Sequence, residues 1–311
     1  MEYKIIEKII IGGSDRIYYR CNKGNETYIL AWDKNIRYHL KIQKHLFDKG
    51  ISVPEVHWSD ENLNLILMED LGDNSLYELF KKKRSLILQY RIAIKELVKF
   101  QVDGYDDAPT EDYYDYEHVK WEQQYFKKYF LTQYCKISRR KIEKLNDDFE
   151  KLAKELLKAV EPWSNFLMHR DYQSQNIYIK GRKAKIIDYQ SARIGPLTYD
   201  LAALLRDSYV NITPKTEKKL IDYYLECLKK KHIKFKKREF LYAYALTALQ
   251  RNLQALGAFA NLSLNKDKVR FKEYIPRGLK LLRAGLEKTE YKELNDCVMS
   301  TQVSEACLSN T

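Results

Sequence analysis

Residues 168–193 read MHRDYQSQNIYIKGRKAKIIDYQSAR, and three oxygen-bearing side chains stand out in them. Asp171 and Asn176 are five residues apart, and Asp188 closes an apolar run twelve residues further on. Between the last two, NIYIK, Gly181-Arg182 and KAKIID read as two short strands around a glycine-containing turn. A hairpin returns the chain to its start, so Asn176 and Asp188 are expected side by side, with Asp171 in the loop before them. Two carboxylates and one amide oxygen make a hard, oxygen-only donor set. Such a set suits Mg²⁺, which takes one or two protein groups and completes its shell with phosphate oxygens and water.

His-Arg-Asp followed by Asn at this spacing is also the pattern of a kinase catalytic loop, where Asp positions the acceptor hydroxyl and Asn holds metal. His169, Arg170, Asp171 and Asn176 fit every fixed position of that loop. Asp188 takes the place of the metal-binding Asp of the DFG motif, written here as Asp-Tyr-Gln. Gly12, Gly13, Ser14 and Arg16 lie between two β-prone runs, where a loop covering nucleotide phosphates belongs, although with fewer glycines than G-x-G-x-x-G. Glu69, Asp70 and Leu71, in LILMEDLG, are expected to form the hinge that meets the adenine edge of ATP with backbone groups. The strand that should carry an ATP-orienting lysine reads Tyr28-Ile29-Leu30-Ala31-Trp32, and the next helix lacks an obvious Glu partner. Arg16 is the candidate for the missing cation. The residues alone leave a catalytically silent nucleotide-binding module open.

The elements that must position these groups divide the chain in two. Residues 1–72 read as strands with one helix: YKIIEKIII, ETYILAW and NLNLILMED are β-prone, and NIRYHLKIQKHLFDKG has helical spacing with Ile36, Leu40, Gln43 and Phe47 on one stripe. From 73 to about 290 the period is helical outside the hairpin. Leu86, Tyr90, Ile94, Leu97 and Gln101 mark one helix; Ile142, Leu145, Phe149, Leu152 and Leu156 mark another, opened by Ser138. Residues 291–311 show no period and are expected to form a poorly ordered tail. The fold class is therefore α+β, bilobal and protein-kinase-like, with a small β-rich lobe before a larger α-rich one.

Composition narrows the partners. The 311 residues carry 55 Lys+Arg against 43 Asp+Glu, a formal charge of +12, which favours anionic ligands. Basic clusters such as KKKR (81–84) come without a nucleic-acid reading motif, so no nucleic-acid partner is expected. No stretch approaches the apolar length of a membrane span, and the N-terminus is not a signal peptide. The five cysteines form no CxxC, which fits a cytoplasmic location. Only twelve residues separate Asp188 from Asp200, with no Ala-Pro-Glu, so a protein kinase's activation loop has no room.

HRDYQSQN, IIDYQSARIGPLTYDLAALLRDSYV and LQRNLQALGAFANL together resemble the aminoglycoside-phosphotransferase-like kinases. More narrowly, they are similar to the anomeric N-acetylmuramate/N-acetylglucosamine kinases of peptidoglycan recycling, over roughly residues 8–288. The resemblance implies a small-molecule kinase that uses ATP and Mg²⁺ to form a sugar 1-phosphate; a kinase for another small alcohol, of the aminoglycoside or choline type, is the alternative. It implies Asp171 as catalytic base or orienting group, and Asn176 and Asp188 as metal ligands. His169 and Asp200 become structural supports, Asp200 holding the catalytic loop through its amides. Gln190, Arg206, Asp207, Gln250 and Arg251 become candidates to line the amino-sugar site, with Arg206 and Arg251 suited to a carboxylate. The family also tolerates a non-lysine residue on the third strand. Gln173 and Gln175 stand where its catalytic loop often has His and Arg.

Overall fold

A computed structural model describes residues 3–9, 16–82 and 86–302. The chain opens with β1 (Lys4–Ile9), β2 (Ile17–Lys23) and β3 (Glu26–Trp32), then α1 (Ile36–Asp48), β4 (Val56–Asp60) and β5 (Leu65–Glu69). All neighbours are antiparallel, in the order β1-β2-β3-β5-β4. The β2–β3 turn uses Gly24 at φ +64°, a conformation that favours glycine. One face of the sheet packs on α1 through Ala31, Ile36, Ile66 and Met68. The expected α1 stripe is rotated: Phe47 is half exposed, whereas His39, Ile42 and Leu46 are buried with Ile36 and Gln43. The rotation matters, because it carries His39 into the cleft.

The second lobe is helical apart from two small sheets. It begins with α2 (Leu76–Lys81), capped by the Ser75 hydroxyl accepting from the Glu78 N–H at 3.1 Å. Next come α3 (Ile87–Asp103) and α4 (Tyr116–Tyr125), which runs on into a π-helical stretch, Phe126–Tyr134. The helix expected from Ser138 is instead two, α5 (Arg139–Glu143) and α6 (Asn146–Val160), and Ser138 makes no side-chain cap. α5 buries no side chain, so only from Leu145 onward does the core hold the helix. Strands β6 (Phe166–Met168), β7 (Ile177–Lys180), β8 (Lys183–Ile186) and β9 (Arg193–Gly195) follow, with β7 paired to β8 and β6 to β9.

α7 (Leu197–Leu205), α8 (Pro214–Lys230), α9 (Lys237–Asn265) and α10 (Ile275–Leu286) complete the core. α9 is 29 residues long and buried along most of its middle. Its Gly257 faces the π-helical stretch, where an added Cβ would sit 3.1 Å from the Phe126 backbone. The tail departs from expectation up to residue 302: α11 (Lys292–Ser300) docks through Tyr291, Leu294 and Val298, all buried. Asp148 accepts from the Leu294 N–H at 2.9 Å. That stripe holds only three apolar residues, too few to register as a period. Gly12, Gly13, Ser14 and residues 303–311 lie outside the described residues. Among the described residues no helix is long and apolar enough to cross a membrane.

Candidate active site

The catalytic loop leaves β6, which is held against β9 by the Met168–Arg193 pairing. Asp200, wholly buried on α7, accepts from the His169 N–H at 2.8 Å and the Arg170 N–H at 2.9 Å. Asp207 accepts from the Ser174 N–H and the Tyr209 N–H, each at 2.8 Å. The Tyr172 hydroxyl donates to the Ala93 carbonyl at 2.8 Å, tying the loop to α3. Arg170 takes φ +78°, an uncommon conformation for a side-chain-bearing residue, and the Asp200 clamp on its amide sustains it.

His169 is buried, and burial holds its imidazole down at about 4, so it is neutral near pH 7. Its Nδ1 accepts from the Asp171 N–H at 3.2 Å, and its Nε2–H donates to the Ile187 carbonyl at 3.0 Å. It thus joins the catalytic loop to the far end of the hairpin. Because the folded state disfavours protonation, the stability this histidine gives is present above its ordinary value of 6.5 and is lost as pH falls toward 4. His169→Gln keeps a donor and an acceptor but removes that titration. From pH 7.5 to 5 the wild type is expected to lose about 2 kcal/mol relative to the variant, measured by denaturant unfolding. Asp200, raised to about 7 chiefly by burial and also by the Asp171 charge, has the opposite sign. It is present in both proteins and drops out of the difference; parallel pH curves would contradict the assignment.

The hairpin acts as the motif spacing required. The Ile187 N–H donates to the Asn176 carbonyl at 3.1 Å, so the two ends are in contact. The Asn176 amide nitrogen donates to the Asp171 carbonyl at 2.9 Å, which leaves Oδ1 as the side-chain atom available to a metal. Asp188 sits at φ +64° with 43% of its side chain accessible, opening into the cleft. Enclosure there, and then the neighbouring Asp171 carboxylate, push its carboxyl up, with Arg16 opposing.

That cleft has a volume of about 310 Å³, and Glu69, Asp70, Leu71, Asn176, Asp188 and Gln190 all line it. The carboxylates of the hinge segment are occupied: Glu69 pairs with Lys180 at 2.9 Å and with Lys185, and Asp70 with Arg20 at 2.7 Å. These bonds tie the sheet to the hairpin and to β2. Arg16 bridges two carboxylates, with Nε 2.9 Å from Asp33 and Nη1 2.9 Å from Asp188. Asp33 is buried just after β3 and also accepts from His39 Nδ1 at 3.0 Å. Burial works against ionisation, but the bonds from His39 and the Asn35 N–H and the Arg16 charge hold its carboxyl down at about 2. β3 itself carries buried Ala31 and part-exposed Trp32 where a lysine was sought.

The five sugar-site candidates part company. Arg251 reaches Asp171, with Nη2 3.4 Å from Oδ1, and is itself buried. Gln190 instead donates to His39 Nε2 at 2.9 Å, against α1. Asp207 pins the catalytic loop. Gln250 is wholly interior, bonded to Glu122 at 2.9 Å and to the Val119 carbonyl at 3.1 Å. Arg206 pairs with Glu217 at 2.6 Å, in a separate hollow of about 220 Å³ that Asp171 does not line. Consecutive helical residues point about 100° apart, so Gln250 and Arg251 on α9 face different neighbours; Arg206 and Asp207, just past the end of α7, likewise take separate partners. Asp33, His39, Glu122 and Arg193 escaped the sequence reading. Only His39 left a trace there, three residues after Ile36 on the face α1 buries.

A small sheet over a helical lobe, with Asp171, Asn176 and Asp188 joined through one loop and hairpin, defines a phosphotransferase of the protein-kinase-like fold. The chain belongs to the phosphotransferase enzyme family APH, whose sequence profile matches residues 13–232. Over 281 residues it is 26% identical to an N-acetylmuramate/N-acetylglucosamine kinase of Neisseria meningitidis serogroup B, covering 86% of this chain and 81% of the relative. A kinase of the same name from Pseudomonas putida is 24% identical over 298 residues, covering 93% and 86%. Among solved structures it is similar to a choline/ethanolamine kinase family protein from Mesorhizobium loti (TM-score 0.63, 15% identity, 94% of this chain and 92% of that one). It is likewise similar to ADP-bound aminoglycoside phosphotransferase APH(2'')-Ib (TM-score 0.56, 16% identity, 93% and 95%).

Proposed function

We propose that the protein transfers the terminal phosphoryl group of ATP to the anomeric hydroxyl of an amino sugar of the N-acetylmuramate or N-acetylglucosamine type, giving the 1-phosphate, as a step in peptidoglycan recycling. The observation that carries this reading is the hydrogen-bonded loop and hairpin that join Asp171 to Asn176 and Asp188, the last two of which line the cleft. The names of the relatives support the acceptor. Among the described residues no group of three His, Cys, Asp or Glu side chains could hold a metal alone. Asn176 Oδ1 and Asp188 are the groups that would hold Mg²⁺, with phosphate oxygens and water completing its shell.

Mg²⁺, when bound, supplies positive charge against the phosphate oxygens. Asp171 orients the acceptor hydroxyl and takes its proton as the new bond to phosphorus forms. An anomeric hydroxyl is more acidic than an ordinary alcohol, so placement matters more than basicity. Arg251 lies beside Asp171, its Nη2 3.4 Å from Oδ1. A cationic acceptor of the choline or aminoglycoside kind is disfavoured beside that buried guanidinium. Release of ADP with each amino sugar, choline and an aminoglycoside tests the reading: the amino sugars should be turned over and the cations should not, and the reverse order would reject it.

Arg16 answers the missing lysine. With Nε held by Asp33, its Nη1 can leave Asp188 for the phosphates when the nucleotide arrives. Charged hydrogen bonds are typically worth about 1.5–3 kcal/mol, so Arg16→Ala is expected to lower kcat/KM for ATP by roughly 10- to 100-fold with KM for sugar little changed. Asp33→Ala should act through Arg16, so the double variant is expected to be no worse than Arg16→Ala. Fully additive losses would show that the two work separately.

A further inference from the structure

Three guanidiniums gather on the catalytic loop's helical-lobe side, and two of them make no direct ion pair among the described residues. Arg170 and Arg193 enter no ion pair among the described residues, and the Nε atoms of Arg170, Arg193 and Arg251 are all buried without a hydrogen-bond partner. Among the described residues the Arg193 side chain makes one hydrogen bond, from Nη1 to His118 Nδ1 at 2.7 Å. The buried carboxylate Glu122 is taken up by other groups: His118 at 3.5 Å, Gln250 at 2.9 Å, Tyr114 at 3.4 Å and Tyr199. Arg251 lies with its Cζ 5.9 Å from the centre of the Tyr199 ring, on the way from Asp171 to this group. Burial, and then the charge of Arg170, make the Arg193 cation harder to hold, with the exposed Asp112 carboxylate the largest charge opposing them. Backbone constraints keep the pair together regardless: Arg193 is fixed in β9 opposite Met168, and Arg170 is fixed at φ +78° by Asp200.

We infer that Arg170 and Arg193, flanked by His118, form a binding site for a carboxylate- or phosphate-sized oxyanion beside the acceptor side of Asp171. A guanidinium presents paired N–H groups that match a planar carboxylate or two phosphate oxygens, and two half-buried guanidiniums together disfavour a neutral occupant. The anion comes either from the acceptor, as the carboxylate that distinguishes N-acetylmuramate from N-acetylglucosamine, or from a free oxyanion. The first source rests on the amino-sugar reading above; the second does not.

The test uses the full chain, wild type and Arg193→Gln, with Arg193→Lys as the charge-retaining control and thermal unfolding to confirm that each variant folds. If the acceptor supplies the anion, Arg193→Gln loses at least tenfold in kcat/KM for N-acetylmuramate and stays within twofold for N-acetylglucosamine, with Arg193→Lys in between. If a free oxyanion is the ligand, calorimetry shows inorganic phosphate binding to the wild type and not to Arg193→Gln, while the preference between sugars is unchanged. Unchanged sugar preference together with no phosphate binding that depends on Arg193 overturns the site. Failure of the wild type to phosphorylate either sugar would reject the proposed function and leave the phosphate titration to decide the site by itself.

Discussion

Asp171→Asn is expected to lower kcat by roughly 10²–10⁴, the usual contribution of a positioned acid–base group, with nucleotide affinity and unfolding midpoint close to wild type. The argument rests on how little else Asp171's carboxylate does. Its backbone serves the loop, through the N–H on His169 and the carbonyl on Asn176. Among the described residues its carboxylate pairs with Arg251 alone, at 3.4 Å. An amide there keeps the shape but cannot take the proton. Steady-state kinetics with saturating ATP measure the loss, and turnover within twofold of wild type would remove Asp171 from the chemistry.

Asp188→Ala is expected to abolish the Mg²⁺ dependence of nucleotide binding. Mg²⁺ relies on one or two protein ligands, so losing the charged one leaves only the neutral Asn176 oxygen. The same change frees Arg16 Nη1, which pairs with Asp188 at 2.9 Å. Metal-free ATP should therefore bind the variant at least as well as it binds the wild type. Calorimetry with and without Mg²⁺ separates the two effects. An undiminished gain in affinity on adding Mg²⁺ would move the metal site elsewhere.

Both residues were legible in the sequence because their relation is local. Five residues and one hairpin separate Asp171, Asn176 and Asp188, and turn chemistry alone brings the ends together. Helices with strong stripes were legible for the same kind of reason, as in Tyr90, Ile94, Leu97 and Gln101 of α3, all buried. What escaped depends on distant partners or on which way a helical side chain turns. Arg16 was found by its position, but its bond to Asp188 spans 172 residues and no local pattern encodes it. His39 and Phe47 both lie on the apolar side of a helical wheel; the sheet above α1 chose His39, and Asp33 and Gln190 satisfy it. Gln250 and Arg251 are neighbours in sequence, yet one closes an interior network and the other meets Asp171. Composition could not rank them. The docking of α11 was hidden in the same way, since three apolar side chains suffice when Asp148 and Glu155 wait on α6.

The central claim is that this site places a phosphoryl group on an anomeric oxygen. Phosphorus NMR of the product, after the wild-type protein has been incubated with ATP, Mg²⁺ and each of N-acetylmuramate and N-acetylglucosamine, tests it directly. A signal coupled to the anomeric proton, that of a sugar 1-phosphate, is the predicted result for at least one sugar. A 6-phosphate signal, or ATP consumed with no phosphorylated sugar, would contradict it.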